Sequence, residues 1–249
     1  MGREGARTEN IDHAASGEDF AERRARAREK LDAVDPHKRP GGIELDPKRR
    51  EWFEAVYSLA AGDPAGVPWA HLEPRPLLED WLAARPLIGL RALDVGCGLG
   101  DNAEALARAG AHVVAFDLVE RAVQWARERF PQSSVDYRVA DLFNAPSDWR
   151  GAFDFVHEVY TLQALPEALL PDAARALASF VAPGGTLLVI SRARGEDEEI
   201  GGPPWPLTRR DIEALAVDGL RLVSLEDIPP SGHLLRHWRA EFRRDEAGA

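Results

Sequence analysis

Residues 93–102, which read LDVGCGLGDN, place three glycines at alternating positions directly after an apolar run. The preceding residues RALDV (91–95) have the pattern of a buried strand, and DNAEALARAG (101–110) has that of an amphipathic helix. Because glycine has no Cβ, Gly96 can form a tight turn and Gly98 lets a ligand approach the backbone. A loop after the carboxyl end of a strand is where open α/β sheets bind ligands. This segment therefore predicts an α/β fold with a ligand at the loop.

Strand-like runs continue to alternate with helical patterns along the rest of the chain. The predicted strands are 91–95, 112–117, 134–140, 153–159, 185–193, 220–227 and 235–244. Alternating strands and helices favour right-handed crossovers and a parallel, doubly wound sheet. Only IPPSGH (228–233) separates the last two strands, and so short a link cannot form a crossover. We therefore expect these two strands to pair as an antiparallel hairpin at the sheet edge.

The chain is predicted to divide into three parts. Residues 1–42 form a flexible or helical N-terminal extension, which ends in the breaker-rich segment DPHKRPGG. Residues 43–86 form a helical lid region with a proline-rich loop inside it. Residues 87–249 form the ligand-binding core.

Composition and charge exclude several function classes. Acids outnumber bases by 42 to 31, and the net charge of −11 disfavours nucleic acid as a partner. No apolar run reaches the roughly 18 to 20 residues of a membrane span, and the N-terminus lacks the apolar core of a signal peptide. The single cysteine suits a reducing compartment, so a cytoplasmic location is expected. No metal site is predicted.

The acidic residues around the glycine loop indicate which cofactor it holds. Asp117 ends the second predicted strand, 21 residues after Gly96, where a doubly wound fold places the acid that binds a ribose diol. A dinucleotide fingerprint has glycine where this chain has Asp101. An acid at that helix start repels a pyrophosphate but not a cationic sulfonium or an ammonium group. The loop chemistry therefore favours S-adenosylmethionine over NAD.

The segment LDVGCGLGDNAEALARAGAHVVAFDLVERAVQWARERF resembles the opening of class I S-adenosylmethionine-dependent methyltransferases. Three later segments are similar to motifs of that family in the same order: VADLFN (139–144), FDFVHEVYTLQALP (153–166) and LASFVAPGGTLLVI (177–190). The resemblance covers about residues 75–245. It implies a Rossmann-like sheet of seven strands, mostly parallel, with an antiparallel final strand.

The resemblance also implies which residues contact the cofactor. The methionine part would lie against Asp94, Gly96, Cys97 and Gly98, and the ribose against Asp117 with Leu118 beside it. Adenine would lie against Asp141, Leu142 and Phe143, and the sulfonium beside His157. Ordinary core packing is the alternative role of Leu118, Leu142 and Phe143. The family often has cysteine at the position of Cys97, and no histidine is spaced to activate the thiol, so packing is expected there.

The region before the glycine loop is similar to the entry region of thiopurine S-methyltransferase-like enzymes, a more distant likeness. There a tryptophan helix covers the cofactor, which implies that Trp52 and Trp69 close over the site; simple anchoring is the alternative. The fourth-strand motif departs from that subfamily, because Glu158, Val159 and Tyr160 stand where it has an acid, arginine and glycine.

Three residues at the end of the fourth strand are candidates for general base or orientation: His157, Glu158 and Tyr160. The alternative is that His157 points into the sheet, with Glu158 and Tyr160 on one face. Nucleic-acid aminomethyltransferases usually have Asn/Asp-Pro-Pro-aromatic here, whereas this chain has HEVY.

The prediction is a methyltransferase of a small molecule, with sulfur, nitrogen or oxygen as the acceptor atom. A non-catalytic cofactor-binding or partner-binding domain and an NAD-dependent oxidoreductase are the alternatives. The long Gly/Pro loop 191–210, with Trp205, is expected at the rim of the substrate pocket. Oligomeric state is left open.

Overall fold

The computed structural model describes residues 17–199, 202–232 and 234–246. Its strands are β1 Arg91–Val95, β2 His112–Asp117, β3 Asp136–Val139, β4 Phe153–Val159, β5 Val181–Arg192, β6 Leu220–Ile228 and β7 His237–Arg244. Its helices are α1 Gly17–Val34, α2 Gly42–Leu45, α3 Arg50–Ala60, α4 Pro76–Ala83, α5 Asp101–Arg108, α6 Glu120–Arg129, α7 Leu170–Phe180 and α8 Arg209–Glu213. Each predicted strand is present, and the largest difference is that β5 begins four residues earlier, at Val181.

All seven strands form one sheet in the order β3-β2-β1-β4-β5-β7-β6. The pairs from β3 through β5 are parallel, and β7 runs antiparallel to both β5 and β6. The predicted terminal hairpin is therefore confirmed, with β6 as the edge strand. The fold class predicted from the sequence, a seven-stranded Rossmann-like α/β sheet with an antiparallel final strand, is also confirmed.

Helices cover both faces of the sheet. Apolar side chains of α4, α5 and α6 pack with Ala92, Phe155 and Leu188 on one face. Apolar side chains of α7 and α8 pack with Leu93 and Val156 on the other face. The central strands are consequently buried on both sides, as their near-continuous apolar sequences indicate.

The N-terminal segment covers the carboxyl edge of the sheet. Leu31 of α1 is buried with Trp52 and Val56 of α3. Asp35 and Arg49 form an ion pair of 2.8 Å whose side chains are almost fully buried. The breaker-rich segment DPHKRPGG (35–42) is thus ion-paired at its first residue. None of the helices in the described ranges is long and apolar enough to cross a membrane.

Helix α4, which lies within the predicted lid range, packs on the sheet. The indole of Trp81 in α4 stacks on the ring of Phe155 in β4, with centroids 5.0 Å apart. This helix therefore belongs to the layer that packs on the sheet, and the cover consists of α1, α3 and the loop between α3 and α4. The upper boundary of the predicted lid, residue 86, lies too late in the chain because α4 carries a core-facing apolar side.

Candidate active site

A cavity of about 570 Å³ lies between this cover and the carboxyl ends of the parallel strands. Its volume is in the range of small-molecule sites. The floor includes Gly96, Asp117, Asp141 and Tyr160, which follow or end β1, β2, β3 and β4 respectively. The position is the one expected for a ligand site in an open α/β sheet.

The glycine loop is held close to its neighbours. Gly96 and Gly100 have φ values of 66° and 91°, in the left-handed region that favours glycine. A Cβ at Gly96 would lie 2.4 Å from the hydroxyl oxygen of Thr161, and one at Gly100 would lie 2.5 Å from that of Tyr137. A Cβ at Gly98 would instead lie 3.5 Å from the Tyr57 hydroxyl, in the cavity wall. Gly98 therefore leaves its backbone open to a ligand.

Asp117 fastens this loop to the end of β2. One carboxylate oxygen accepts the N–H of Gly98 at 3.0 Å, and the other accepts that of Val119 at 2.9 Å. Burial raises the pKa of Asp117 to about 6, although these backbone donors act in the opposite direction. Its carboxylate oxygens keep further lone pairs for hydroxyl donors. Leu118, beside it, also lines the cavity.

A second end of the cavity is formed by the turn after β3. Asp141 accepts the N–H of Phe143 at 2.9 Å, and it is paired with Arg50 of the cover at 3.3 Å. The ammonium group of Lys48 lies 4.8 Å from the centroid of the Phe143 ring. Leu142 also lines this part of the cavity. The turn thus offers an apolar surface next to a hydrogen-bond acceptor.

The aromatic residues predicted to cover the site do reach the cavity. Trp52 and Trp69 both line it. The indole N–H of Trp69 donates to the Tyr57 hydroxyl at 3.1 Å, and the Phe53 ring packs edge-on against Trp69 at 5.5 Å. These contacts fix one wall of the cavity.

The structure defines the surroundings of the Asp101 carboxylate and of the Cys97 thiol at the loop. Asp101 forms a two-pronged ion pair with Arg129, with N–O distances of 2.7 and 2.8 Å. Because Arg129 balances its charge, the repulsion of a pyrophosphate by Asp101 is a weaker argument than it appeared in the sequence. Cys97 lines the cavity, but burial raises the pKa of its thiol well above the ordinary range, so it stays protonated.

Three predicted site residues lie away from the cavity wall. Asp94, His157 and Glu158 are at most 1% exposed, and none of them lines the cavity. The Nδ1 atom of His157 lies 2.6 Å from a carboxylate oxygen of Asp94 on the neighbouring strand. The predicted contact of Asp94 with the cofactor and the predicted catalytic roles of His157 and Glu158 therefore require correction. The physical reason is that β1 and β4 are covered on both faces.

Glu158 instead shapes the turn that follows β4. One of its oxygens accepts the backbone N–H of Leu162 at 2.8 Å. Burial raises the pKa of Glu158 to about 8, so the carboxyl group is mainly protonated near neutral pH. The turn that it holds contains Tyr160 and Thr161, which do line the cavity.

Tyr160 forms a pair with a histidine that the sequence motifs did not indicate. Its hydroxyl lies 2.7 Å from Nε2 of His237, and the two rings stack with centroids 5.7 Å apart. The other ring nitrogen, Nδ1, faces the carbonyl oxygen of Leu235, which only accepts hydrogen bonds. Nδ1 therefore carries the proton, and Nε2 accepts the Tyr160 O–H. Burial, with added repulsion from Arg192 and Arg75, lowers the pKa of His237, so this imidazole is neutral.

Tyr160 is also held in an unusual backbone conformation. Its φ is 67°, a value that is rare for an aromatic residue and costs of the order of 1–3 kcal/mol. Its amide N–H donates to Ile190 of β5, and the guanidinium of Arg75 lies 4.6 Å from its ring centroid. Such strained residues cluster at functional sites.

Arginine and histidine side chains from elements that are distant in sequence also line the cavity. They are Arg24 and Arg28 of α1, His71 and Arg75 of the loop before α4, Arg192 at the end of β5 and His237 at the start of β7. Arg192 and His237 are partners in the β5–β7 register. The spacing of four between Arg24 and Arg28, which places them on one helix face, is the sequence signal that could have indicated a basic surface. Within the described residues, no group of three His, Cys, Asp or Glu side chains is arranged to hold a metal ion.

The sheet order, the antiparallel β7 and the glycine loop with its acid at the end of β2 agree with the class I methyltransferase fold that the sequence motifs predict. In agreement, residues 92–185 match a family model described as a methyltransferase domain. This match supports the recognition of a methyltransferase domain in that part of the chain, whereas the likeness to thiopurine S-methyltransferases stays a prediction.

Known proteins give a consistent comparison. A ubiquinone biosynthesis O-methyltransferase of Xanthomonas campestris pv. campestris is 44% identical over 117 residues, which are 46% of this chain and 48% of the relative. The chain thus spans about half the length of the curated relatives it matches. The 1,6-didemethyltoxoflavin-N1-methyltransferase of Burkholderia thailandensis superposes with a TM-score of 0.62 at 15% identity, covering 82% of this chain and 90% of that one. The (4+2)-cyclase SpnF superposes with a TM-score of 0.63 at 20% identity, covering 80% and 97%. These two likenesses show the fold.

Proposed function

We propose that this chain transfers the methyl group of S-adenosylmethionine to a small-molecule acceptor. The carrying observation is one cavity that joins the open glycine loop, the carboxylate of Asp117 and the apolar turn at Phe143 under an aromatic cover. Bound there, the cofactor supplies an electrophilic methyl group. The division into an extension at 1–42, a lid at 43–86 shortened by α4, and a core at 87–249 is part of this proposal.

The residues on the β1–β3 side of the cavity are assigned to cofactor binding. Asp117 accepts hydrogen bonds from the ribose hydroxyls, while Asp141, Leu142 and Phe143 hold the adenine. The open backbone at Gly98 receives the methionine part. Arg75 is assigned to the methionine carboxylate, because it lines the cavity and its backbone N–H donates to Asn102, two residues after the loop.

The cover and the opposite side of the cavity are assigned to the acceptor. Trp52 and Trp69 exclude water, which favours displacement at carbon over side reactions. Tyr160 and the neutral Nε2 of His237 take up the proton of an acceptor hydroxyl. Oxygen as the acceptor atom is supported by this proton acceptor and by the name of the curated relatives, which are O-methyltransferases. We further propose that the protein acts in the cytoplasm, because its single cysteine suits a reducing compartment, and without nucleic acid, because its net charge is −11.

Calorimetric titration with S-adenosylmethionine, S-adenosylhomocysteine and NADH tests the proposal. We expect micromolar binding of both adenosyl ligands, no binding of NADH, and loss of binding in Asp117→Ala. Asp148→Ala, which removes an exposed acid, is the matched control and should bind like the wild type. Tight NADH binding, or binding of none of the three, would refute the cofactor assignment. Adenosyl binding with no turnover of any acceptor would favour a non-catalytic binding domain.

A further inference from the structure

Two arginines of helix α1, Arg24 and Arg28, line the cavity. Ala21, Arg24, Ala25 and Arg28 all line the cavity, and their spacing places them on one face of the helix. On another face, Arg26 lies 3.7 Å from Glu22 in an ion pair. The cavity face therefore holds two like charges one helical turn apart, an arrangement that destabilises a helix unless an anion balances it.

The end of β5 adds a third cation to the same region. Arg192 lines the cavity, and its pKa is lowered by burial and by repulsion from Arg28. Within the part of the chain that the structure describes, no carboxylate forms an ion pair with Arg24, Arg28 or Arg192. Arg24 donates a side-chain hydrogen bond to a neutral acceptor, the carbonyl oxygen of Ala70, at 2.9 Å. These guanidinium groups thus keep most of their donors for a ligand.

The acids that line the cavity do not balance this charge. Asp32 is paired with Lys38 at 2.8 Å, and Asp101 is paired with Arg129. Glu73 is exposed to solvent. Asp117 and Asp141 belong to the β2 and β3 end of the cavity.

The pKa of His71, which lines the same cavity, also indicates a positive electrostatic potential there. Partial burial, followed by repulsion from Arg75, Arg24 and Arg192, lowers the pKa of His71 to about 3. This local field arises in a chain whose net charge is −11, so it comes from the fold and not from the composition.

We infer that the acceptor molecule carries a carboxylate or phosphate group, which Arg24, Arg28 and Arg192 bind. The inference rests on the proposed function and specifies its substrate class. Guanidinium groups bind both oxyanions through paired N–H donors. Arg192 ends β5 opposite His237 and repels Arg28, and Arg24 repels Arg75, whose guanidinium lies over the Tyr160 ring. These contacts place the three arginines on the Tyr160–His237 side of the cavity. An anionic group held there would direct the rest of the acceptor toward Tyr160.

Binding of matched fragments in the presence of S-adenosylhomocysteine tests the inference. The probes are hydroxybenzoates with the corresponding amides, hydroxyalkanoates with their amides, and phenyl phosphate with phenol. The variant is Arg28→Gln combined with Arg192→Gln, and the charge-retaining form is Arg28→Lys with Arg192→Lys. Arg26→Gln is the matched control on the exposed face of the same helix. Thermal unfolding and the Kd of S-adenosylhomocysteine are measured for every variant.

We expect at least one anionic fragment to bind wild type about tenfold or more tightly than its neutral partner, which corresponds to about 1.4 kcal/mol. The glutamine variant should lose that preference, whereas the lysine variant should keep part of it and Arg26→Gln should keep all of it. The pair that shows the preference identifies carboxylate or phosphate. Absence of a preference in every pair, or its survival in the glutamine variant, overturns the inference. A rise in the Kd of S-adenosylhomocysteine in the glutamine variant, without loss of the preference, also overturns the inference. The arginines would then bind the cofactor and not the acceptor. Failure of wild type to bind S-adenosylhomocysteine refutes the proposed function instead.

Discussion

The buried carboxyl group of Glu158 makes the stability of this protein depend on pH. Glu158 is 0% exposed in β4, and only one of its oxygens has hydrogen-bond partners among the described residues. Burial, with a smaller contribution from Asp94, raises its pKa to about 8. Glu158→Gln keeps an oxygen that can accept the N–H of Leu162 but removes the titrating group.

The size of the effect follows from the shift. A change from the ordinary value of 4.5 to about 8 corresponds to roughly 5 kcal/mol at about 1.4 kcal/mol per pK unit. Because the folded-state pKa is the higher one, this stability is fully present below about pH 4.5 and is lost as the pH rises through about 8. The amide of glutamine adds buried N–H groups that cost about 1–3 kcal/mol. Glu158→Gln should therefore be more stable than wild type by about 3 kcal/mol at about pH 9.

Urea unfolding of wild type and Glu158→Gln at several values between about pH 5 and pH 9 measures this difference. Glu167→Gln, at an exposed position, is the control and should follow the wild-type curve. The wild-type free energy of unfolding should fall relative to that of Glu158→Gln as the pH rises. Curves that stay parallel over this interval would show that Glu158 is ionised in the fold at little cost, and would refute the reasoning.

Three further changes test other parts of the structure. Gly96→Ala should cost about 1–3 kcal/mol of stability and weaken S-adenosylhomocysteine binding, because the new Cβ would lie 2.4 Å from a threonine hydroxyl. Gly89→Ala is the control, because Gly89 has a similar φ but no atom within 4 Å of a new Cβ. An equal loss of stability in both variants would rule out the steric cause. Arg49→Gln leaves Asp35 buried without its cation and should cost about 3–5 kcal/mol in thermal unfolding, and an unchanged Tm would contradict the importance of this ion pair. Tyr160→Phe should lower kcat by about 10²-fold or more with little change in the KM of the cofactor, and equal turnover by both proteins would remove Tyr160 from proton transfer.

The fold could be predicted from local patterns to a large extent. β1, β2, β4 and the second half of β5 read as apolar runs next to helical patterns, and the short link before β7 predicts an antiparallel hairpin. β7 lies between β5 and β6 because of its pairing with both strands. The hydrophobic periodicity within a single strand does not determine which strands pair with it. The packing of α4 on the sheet was also missed, because its proline-rich surroundings resemble a loop.

The predicted site residues that are adjacent in sequence lie together at the cavity, and their roles stay predictions. The glycine loop, Asp117 and the Asp141–Phe143 turn form short motifs, and the structure places all of them at the cavity. His157 and Glu158 were predicted to reach the site from their position at the end of the fourth strand. Alternation along a strand identifies a side chain that faces a ligand only when one face of the strand is open. Here both faces of β4 are covered, so neither side chain reaches the ligand space.

The direction of β7 explains why the acceptor side of the cavity escapes detection in the sequence. In a parallel sheet only the carboxyl ends of strands reach the ligand edge, but the amino end of an antiparallel strand reaches it as well. His237 begins β7 opposite Arg192, which ends β5, so residues 45 positions apart become neighbours beside Tyr160. The side of the cavity that we propose binds the cofactor is built from consecutive β–loop–α units, whereas the side that we propose binds the acceptor is assembled from β4, β5, β7 and the distant helix α1. Substitutions at Arg192 or His237 should therefore change acceptor selectivity while cofactor affinity is retained.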